Sequence, residues 1–141
     1  MSVQAVLLPV FVQVALTFTL VFWTGLSRLG SVRRGETKVS SIALGQQNWP
    51  ARIAQIGNSY NSQFQVPVLF YVLVILALMT RMADLLFVVM SWLFVIARLG
   101  HCYIHVTSNH VGHRFYAFVA GTVVLLLMWI IFAARLLVGL S

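Results

Sequence analysis

Charge is scarce in this chain, and negative charge is scarcest of all. Only 8% of its 141 residues are Asp, Glu, Lys or Arg, and the acids number two, Glu36 and Asp84. A soluble domain usually carries about 25% charged residues, so the shortage excludes water as the main solvent and points to lipid. A single cysteine, Cys102, excludes an intramolecular disulfide and leaves the redox compartment unread. The first apolar run lacks a basic start and a small-x-small cleavage site before its end. A retained helix is therefore expected there rather than a signal peptide. No internal repeat or low-complexity tract stands out.

What the chain has is apolar length. Residues of apolar type make up 61% of it. They run uncharged between Arg28, Arg33, Arg34, Glu36, Lys38, Arg52, Arg81, Asp84, Arg98, Arg114 and Arg135. A spanning helix needs about 20 mostly apolar residues. The expected fold is all-α: a polytopic, antiparallel four-helix transmembrane bundle forming a single domain over residues 1–141. Its helices are expected at about 5–26, 50–79, 84–106 and 112–137, with one longer loop at about 27–49. Pro9 falls in the first turns of the first helix, where its missing donor costs least. Asn48 ahead of Pro50 reads as a cap followed by a proline in the first turn. Pro67 should free the carbonyl of Gln63 and bend the second helix. Arg81 to Asp84 makes a tight turn, and Asp84 suits the start of the third helix. Ser108, Asn109, His110 and Gly112 make another.

A net charge of +7 would suggest nucleic acid in a soluble protein. The basic residues flank apolar runs, so they read as orientation signals, and nucleic acid is set aside as a partner. Arg28, Arg33, Arg34, Lys38 and Arg52 cluster around the first loop, with Arg114 and Arg98 on the same side. Only Arg81 and Arg135 lie opposite. The positive-inside rule then puts both loops in the cytoplasm and both termini outside it.

Polar groups inside a membrane are costly and are functional candidates by default. Arg98, His101 and His105 fall within an arc of about 60° on the third helix, and Ser91 continues the stripe. They suit an anionic ligand, or else an Arg that snorkels and histidines that bond neighbouring helices. His101 and His105 also have i, i+4 ligand spacing, which keeps a metal or haem reading open, although no metal ligand set is assigned. On the second helix Gln55, Asn58, Ser59, Ser62 and Gln65 share an arc of about 120°. Such a stripe faces protein or water: it bonds other helices or a polar ligand held against Arg98. His110, His113 and Arg114 open the fourth helix. A helix N-terminus with an added arginine favours an anion or a thiolate; the alternative is interfacial anchoring. No acidic group accompanies these clusters, which argues against a cation transporter or a carboxylate proton relay.

Several segments together resemble the MAPEG family, membrane-associated proteins in eicosanoid and glutathione metabolism, in its bacterial-type branch. They are Gly25-Leu26-Ser27-Arg28, the run from Asn58 to Pro67 (NSYNSQFQVP), and Arg98-Leu-Gly-His101-Cys-Tyr-Ile-His105, with Arg114 following Arg98 by 16 residues. The resemblance covers nearly the whole chain. It implies a homotrimer of four-helix subunits, in a bacterial inner membrane, that binds glutathione between subunits near the cytoplasmic face. It implies glutathione-dependent transferase or peroxidase chemistry on a lipophilic small molecule. By the same resemblance Arg114 is the thiol-activating, catalytic residue. Glutathione would be held by Arg28, Asn58, Asn61, Ser62, Gln65, Arg98, His101 and His105.

The match has departures. Catalytic relatives carry Arg-Asn-x-x-Glu on helix two, where the glutamate holds the amino group of glutathione. Those places hold Asn61, Ser62 and Gln65. His105 replaces the tyrosine that follows the helix-three histidine, and Phe115 replaces a serine. The second reading is therefore a non-catalytic membrane trimer: an accessory subunit of a larger membrane complex, or a binder of membrane lipid or another lipophilic anion.

Overall fold

The computed structural model describes residues 2–140, and among them every regular element is helical. A chain dissolved in lipid must satisfy its backbone polar groups internally, and helices do so within each segment. Four helical stretches are long and apolar enough to span: 3–33, 51–79, 85–106 and 111–139.

Helix α1 runs Val3–Arg33, two turns past the expected end near Leu26. Ser2 caps it by accepting from the Ala5 N–H at 3.1 Å. The extension past Leu26 holds few apolar residues, so hydropathy alone ends too early. Its far end is closed by the backbone turn through Arg34 and by a buried 2.6 Å bond between the Ser31 and Thr37 hydroxyls.

The second span is broken rather than bent. Helix α2 covers Ala51–Asn61, a 3-10 turn covers Ser62–Phe64, and helix α3 covers Val66–Met79. Gln65, at φ −96° and ψ −110°, separates them. Proline cannot donate to the preceding turn, and Pro67 sits in the first turn of a new helix, where no donor is needed. Asn48 does not cap α2: Pro50 holds that position and makes no side-chain cap bond, while Asn48 Nδ2 donates to the Ser41 carbonyl at 2.6 Å.

Helix α4 is Leu85–Val106 and helix α5 is Val111–Leu140. Arg81 and Asn109, the non-glycine residues at positive φ, make the tight turns before α4 and α5. Asp84 caps α4 by accepting from the Phe87 N–H at 3.0 Å and pairs with Arg135 of α5 at 2.6 Å.

The two ends of the bundle differ. The turn end, with the start of α4 and the close of α5, is packed with apolar side chains. Phe70, Leu73, Val74 and Ala77 of α3 meet Phe94 and Val95 of α4 and Leu125 and Met128 of α5. The loop end buries polar groups instead. Gln13 of α1 donates to Gln63 Oε1 at 2.7 Å, and Gln63 donates to the Ser59 carbonyl at 3.0 Å. Two side chains of α2 serve the last carbonyls of α4, which a helix leaves without partners. Gln55 donates to the carbonyls of His105 and Thr107, and Arg52 donates to that of Val106. Gln55 thus belongs to the scaffold.

Candidate functional site

At the loop end α2 and α5 diverge, and a cavity of about 520 Å³ opens between them. Asn58 and Asn61 of α2, with Ser62 and Gln65 of the break, form one wall. His101 and His105 of α4 form the floor. Val111, Arg114, Phe115 and Phe118 of α5 form the other wall. The four follow i, i+3, i+4, i+7 spacing, which puts them on one face of the segment.

Both histidines are buried, at 5% and 7% exposure, with ring centroids 5.5 Å apart. Their Nδ1 atoms have no hydrogen-bond partner in the protein. Buried polar groups are nearly always partnered, so these nitrogens have capacity to spare beside the cavity. Asn58, Asn61 and Gln65 are exposed on a single copy of the chain. Arg114 is half-buried and donates to Asn109 Oδ1 at 2.6 Å. That bond ties its guanidinium to the turn between α4 and α5, at the mouth of the cavity.

Arg98 lies behind the lining. It is 1% exposed, and its Nη2 donates to the carbonyl and the hydroxyl of Ser62 at 3.2 and 2.9 Å. Its Nε and Nη1 have no partner. It therefore holds the broken segment against α4 and sets positive charge one layer behind the cavity wall. Gly121 on α5 makes room for this: a Cβ there would lie 3.4 Å from that of Ala97 and 3.9 Å from Arg98 Cδ.

Arg28 is not among the residues lining this cavity. It reaches over Gly57, where a Cβ would stand 2.9 Å from Arg28 Nη2, and its guanidinium lies 4.8 Å from the Trp49 ring centre. Arg52 stacks on Trp23 at 5.4 Å. Each arginine thus covers an indole from the other strand of the α1–α2 connection, a pairing that clamps the loop. His110 and His113 stack at 4.1 Å outside the lining, and His110 Nδ1 accepts from the His113 N–H at the start of α5. Cys102 turns away from the cavity, accepting from Ser59 Oγ at 3.4 Å. Among the described residues no three His, Cys, Asp or Glu side chains gather as metal ligands.

The aromatic wall of α5 was not foreseen in the sequence. Val111, Phe115 and Phe118 follow i, i+4, i+7 spacing, which puts them on one face beside Arg114. That periodicity carries the signal. Beyond Gln65 and Phe118 the groove continues in apolar form. Val66, Leu69, Thr122, Leu125, Leu126 and Trp129 line a second hollow of about 440 Å³ between α3 and α5.

The acids of the chain lie elsewhere. Glu36 pairs with Arg34 in the loop at 3.0 Å, and Asp84 with Arg135 at the turn end. The Arg34 guanidinium holds the Glu36 carboxyl below its usual range. The cavity is thus lined by cationic, amide, hydroxyl and aromatic groups without a side-chain carboxylate.

No curated protein and no solved structure matches the chain significantly. The family model described as MAPEG family matches residues 6–134, nearly its whole length. With four apolar spanning helices around a polar hollow, the chain belongs to the MAPEG family and is a multi-pass integral membrane protein.

Proposed function

We propose that the cavity holds a thiol of the glutathione type and that Arg114 stabilises its thiolate for transfer to a lipophilic substrate or reduction of a peroxide. The observation that carries this reading is the lining itself. A volume of about 520 Å³ lies within the range of about 300–1,000 Å³ typical of small-molecule sites. Its charged member is an arginine, and its buried histidines have nitrogens to spare. The bound thiol supplies the sulfur nucleophile. Arg114 and the N-terminus of α5 supply positive charge where sulfur loses its proton, which lowers a thiol pKa. Asn58, Asn61 and Gln65 offer hydrogen bonds to carboxylates and peptide groups, and Ser62 is held in the wall by Arg98. Arg98 adds field from behind Ser62 and keeps the wall in place.

The adjoining apolar groove suits the second reactant. Gln65 and Val66 are consecutive, and Phe118 and Thr122 lie one turn apart on α5, so a molecule in the groove would reach the polar cavity where the two hollows join. Asn58, Asn61 and Gln65 need cover in lipid, and two further copies in a trimer would provide it. The loop end faces the cytoplasm by the positive-inside rule.

A second reading, a non-catalytic trimer that binds a lipophilic anion or serves a larger complex, is favoured by the bond from Arg114 to Asn109, which occupies one of the guanidinium's donors. Calorimetric titration of the purified, membrane-reconstituted protein with glutathione and with S-hexylglutathione separates the two. Saturable binding of both at millimolar concentration or below supports the thiol site. Absence of binding of both, with co-purifying phospholipid, supports the second reading.

A further inference from the structure

A thiol site of the glutathione type must treat a molecule that is zwitterionic: two carboxylates and one ammonium. This chain can meet the carboxylates. It has nothing with which to neutralise the ammonium. The whole sequence holds two acidic side chains. Glu36 is committed to Arg34 in the loop, and Asp84 caps α4 and binds Arg135 at the opposite end of the bundle. Neither is among the residues that line the cavity.

Each further copy would bring the same two acids, each already paired with an arginine of its own copy. The remaining groups that could accept are neutral: the amide oxygens of Asn58, Asn61 and Gln65, the imidazoles of His101 and His105 and the faces of Phe115 and Phe118. A neutral acceptor gives an ammonium a hydrogen bond without offsetting its charge. Meanwhile Arg114 at the mouth and Arg98 behind Ser62 repel it. Like charges juxtaposed at a binding surface are costly, and every 1.4 kcal/mol is about tenfold in affinity.

Resting on the thiol site proposed above, we infer that the cavity selects thiols bearing carboxylates and no free ammonium. The chemical class is an anionic acyl-cysteinyl compound whose amino group is absent or acylated. Gln65 is one wall position from which an added charge would act on the preference. It lies on the cavity wall, is exposed in one copy, and makes no side-chain hydrogen bond that anchors it elsewhere among those described. A carboxylate at that point would restore the missing charge.

The test compares two ligands on the reconstituted full-length protein by calorimetry: glutathione, and γ-glutaryl-cysteinyl-glycine, the same tripeptide without its amino group. The amine-free form should bind about tenfold tighter or more. In Gln65→Glu the ratio, measured on folded protein, should move toward glutathione by about tenfold or more. Equal affinities, or tighter binding of glutathione by the unaltered protein, overturns the inference while leaving the thiol site standing. A ratio that does not move in Gln65→Glu also overturns it, since charge at this wall would then not govern the choice. If neither tripeptide binds, the thiol site itself fails and the inference falls with it.

Discussion

The two halves of the second span make opposite uses of one stretch of chain. In α3 the residues Phe70, Leu73, Val74 and Ala77 are fully buried and apolar, and their neighbours on α4 and α5 match them. In α2 and the break, buried Ser59, Ser62 and Gln63 hydrogen-bond to Cys102, Arg98 and Gln13 respectively, while Asn58, Asn61 and Gln65 stay uncovered in a single copy. The buried face of α3 holds the bundle together, while Val66 and Leu69 of the same helix line the apolar groove. Beside the polar half, Arg98, His101 and His105 of α4 keep unpartnered nitrogens. Apolar burial is concentrated at the turn end, and the polar cavity lies at the loop end.

That division can be broken from either side. Phe94 is fully buried, and its ring lies 4.8 Å from that of Phe70. Between lipid-soluble helices the association rests on packing rather than on water release. Phe94→Ala leaves a cavity on the order of 100 Å³, which at about 24 cal/mol per Å³ costs about 2 kcal/mol. Denaturant titration in detergent should show that loss, while ligand affinity measured on the folded fraction stays within about threefold. A large affinity loss would mean that the two ends are not separate.

A smaller effect belongs to the cap of α4. Asp84→Ala removes the acceptor of the Phe87 N–H and should cost about 1 kcal/mol. The ion pair with Arg135 is solvent-screened and adds little. The Phe87 N–H, with help from Arg135, holds the Asp84 carboxyl below its ordinary value. This contribution is therefore full above the unfolded value and is lost as pH falls through the lower folded value. Melting curves should show the Asp84→Ala deficit at neutral pH, shrinking only below about pH 4. A deficit that shrinks between pH 7 and 5 would assign the effect to another group.

The spans were legible because long uncharged runs leave lipid as the only plausible solvent, and the polar stripes on the second and third helices followed from helical geometry. Other features depend on contacts that periodicity does not encode. The stripe placed Gln55 with Asn58 and Gln65, yet Gln55 sits one turn nearer the loop and meets the bare carbonyls of α4. Arg98 shares an arc with His101, but its long side chain turns into Ser62 rather than to the cavity. Arg28 reaches Gly57 and Trp49 because the glycine leaves space, a relation between segments far apart in the chain. Pro67 foretold a disturbance, and the complete break at Gln65 came from adding a 3-10 turn to it.

Thiolate formation at Arg114 tests the account most directly. Ultraviolet difference spectra recorded while reconstituted protein is titrated with a glutathione-type thiol at neutral pH report bound thiolate as new absorbance. The unaltered protein should show a saturable thiolate signal. Arg114→Ala should lose most of it, while the protein still folds and keeps its oligomeric state. A thiolate signal of equal size in Arg114→Ala, or bound thiol that stays protonated in the unaltered protein, would contradict the role given to this arginine and the cavity it guards.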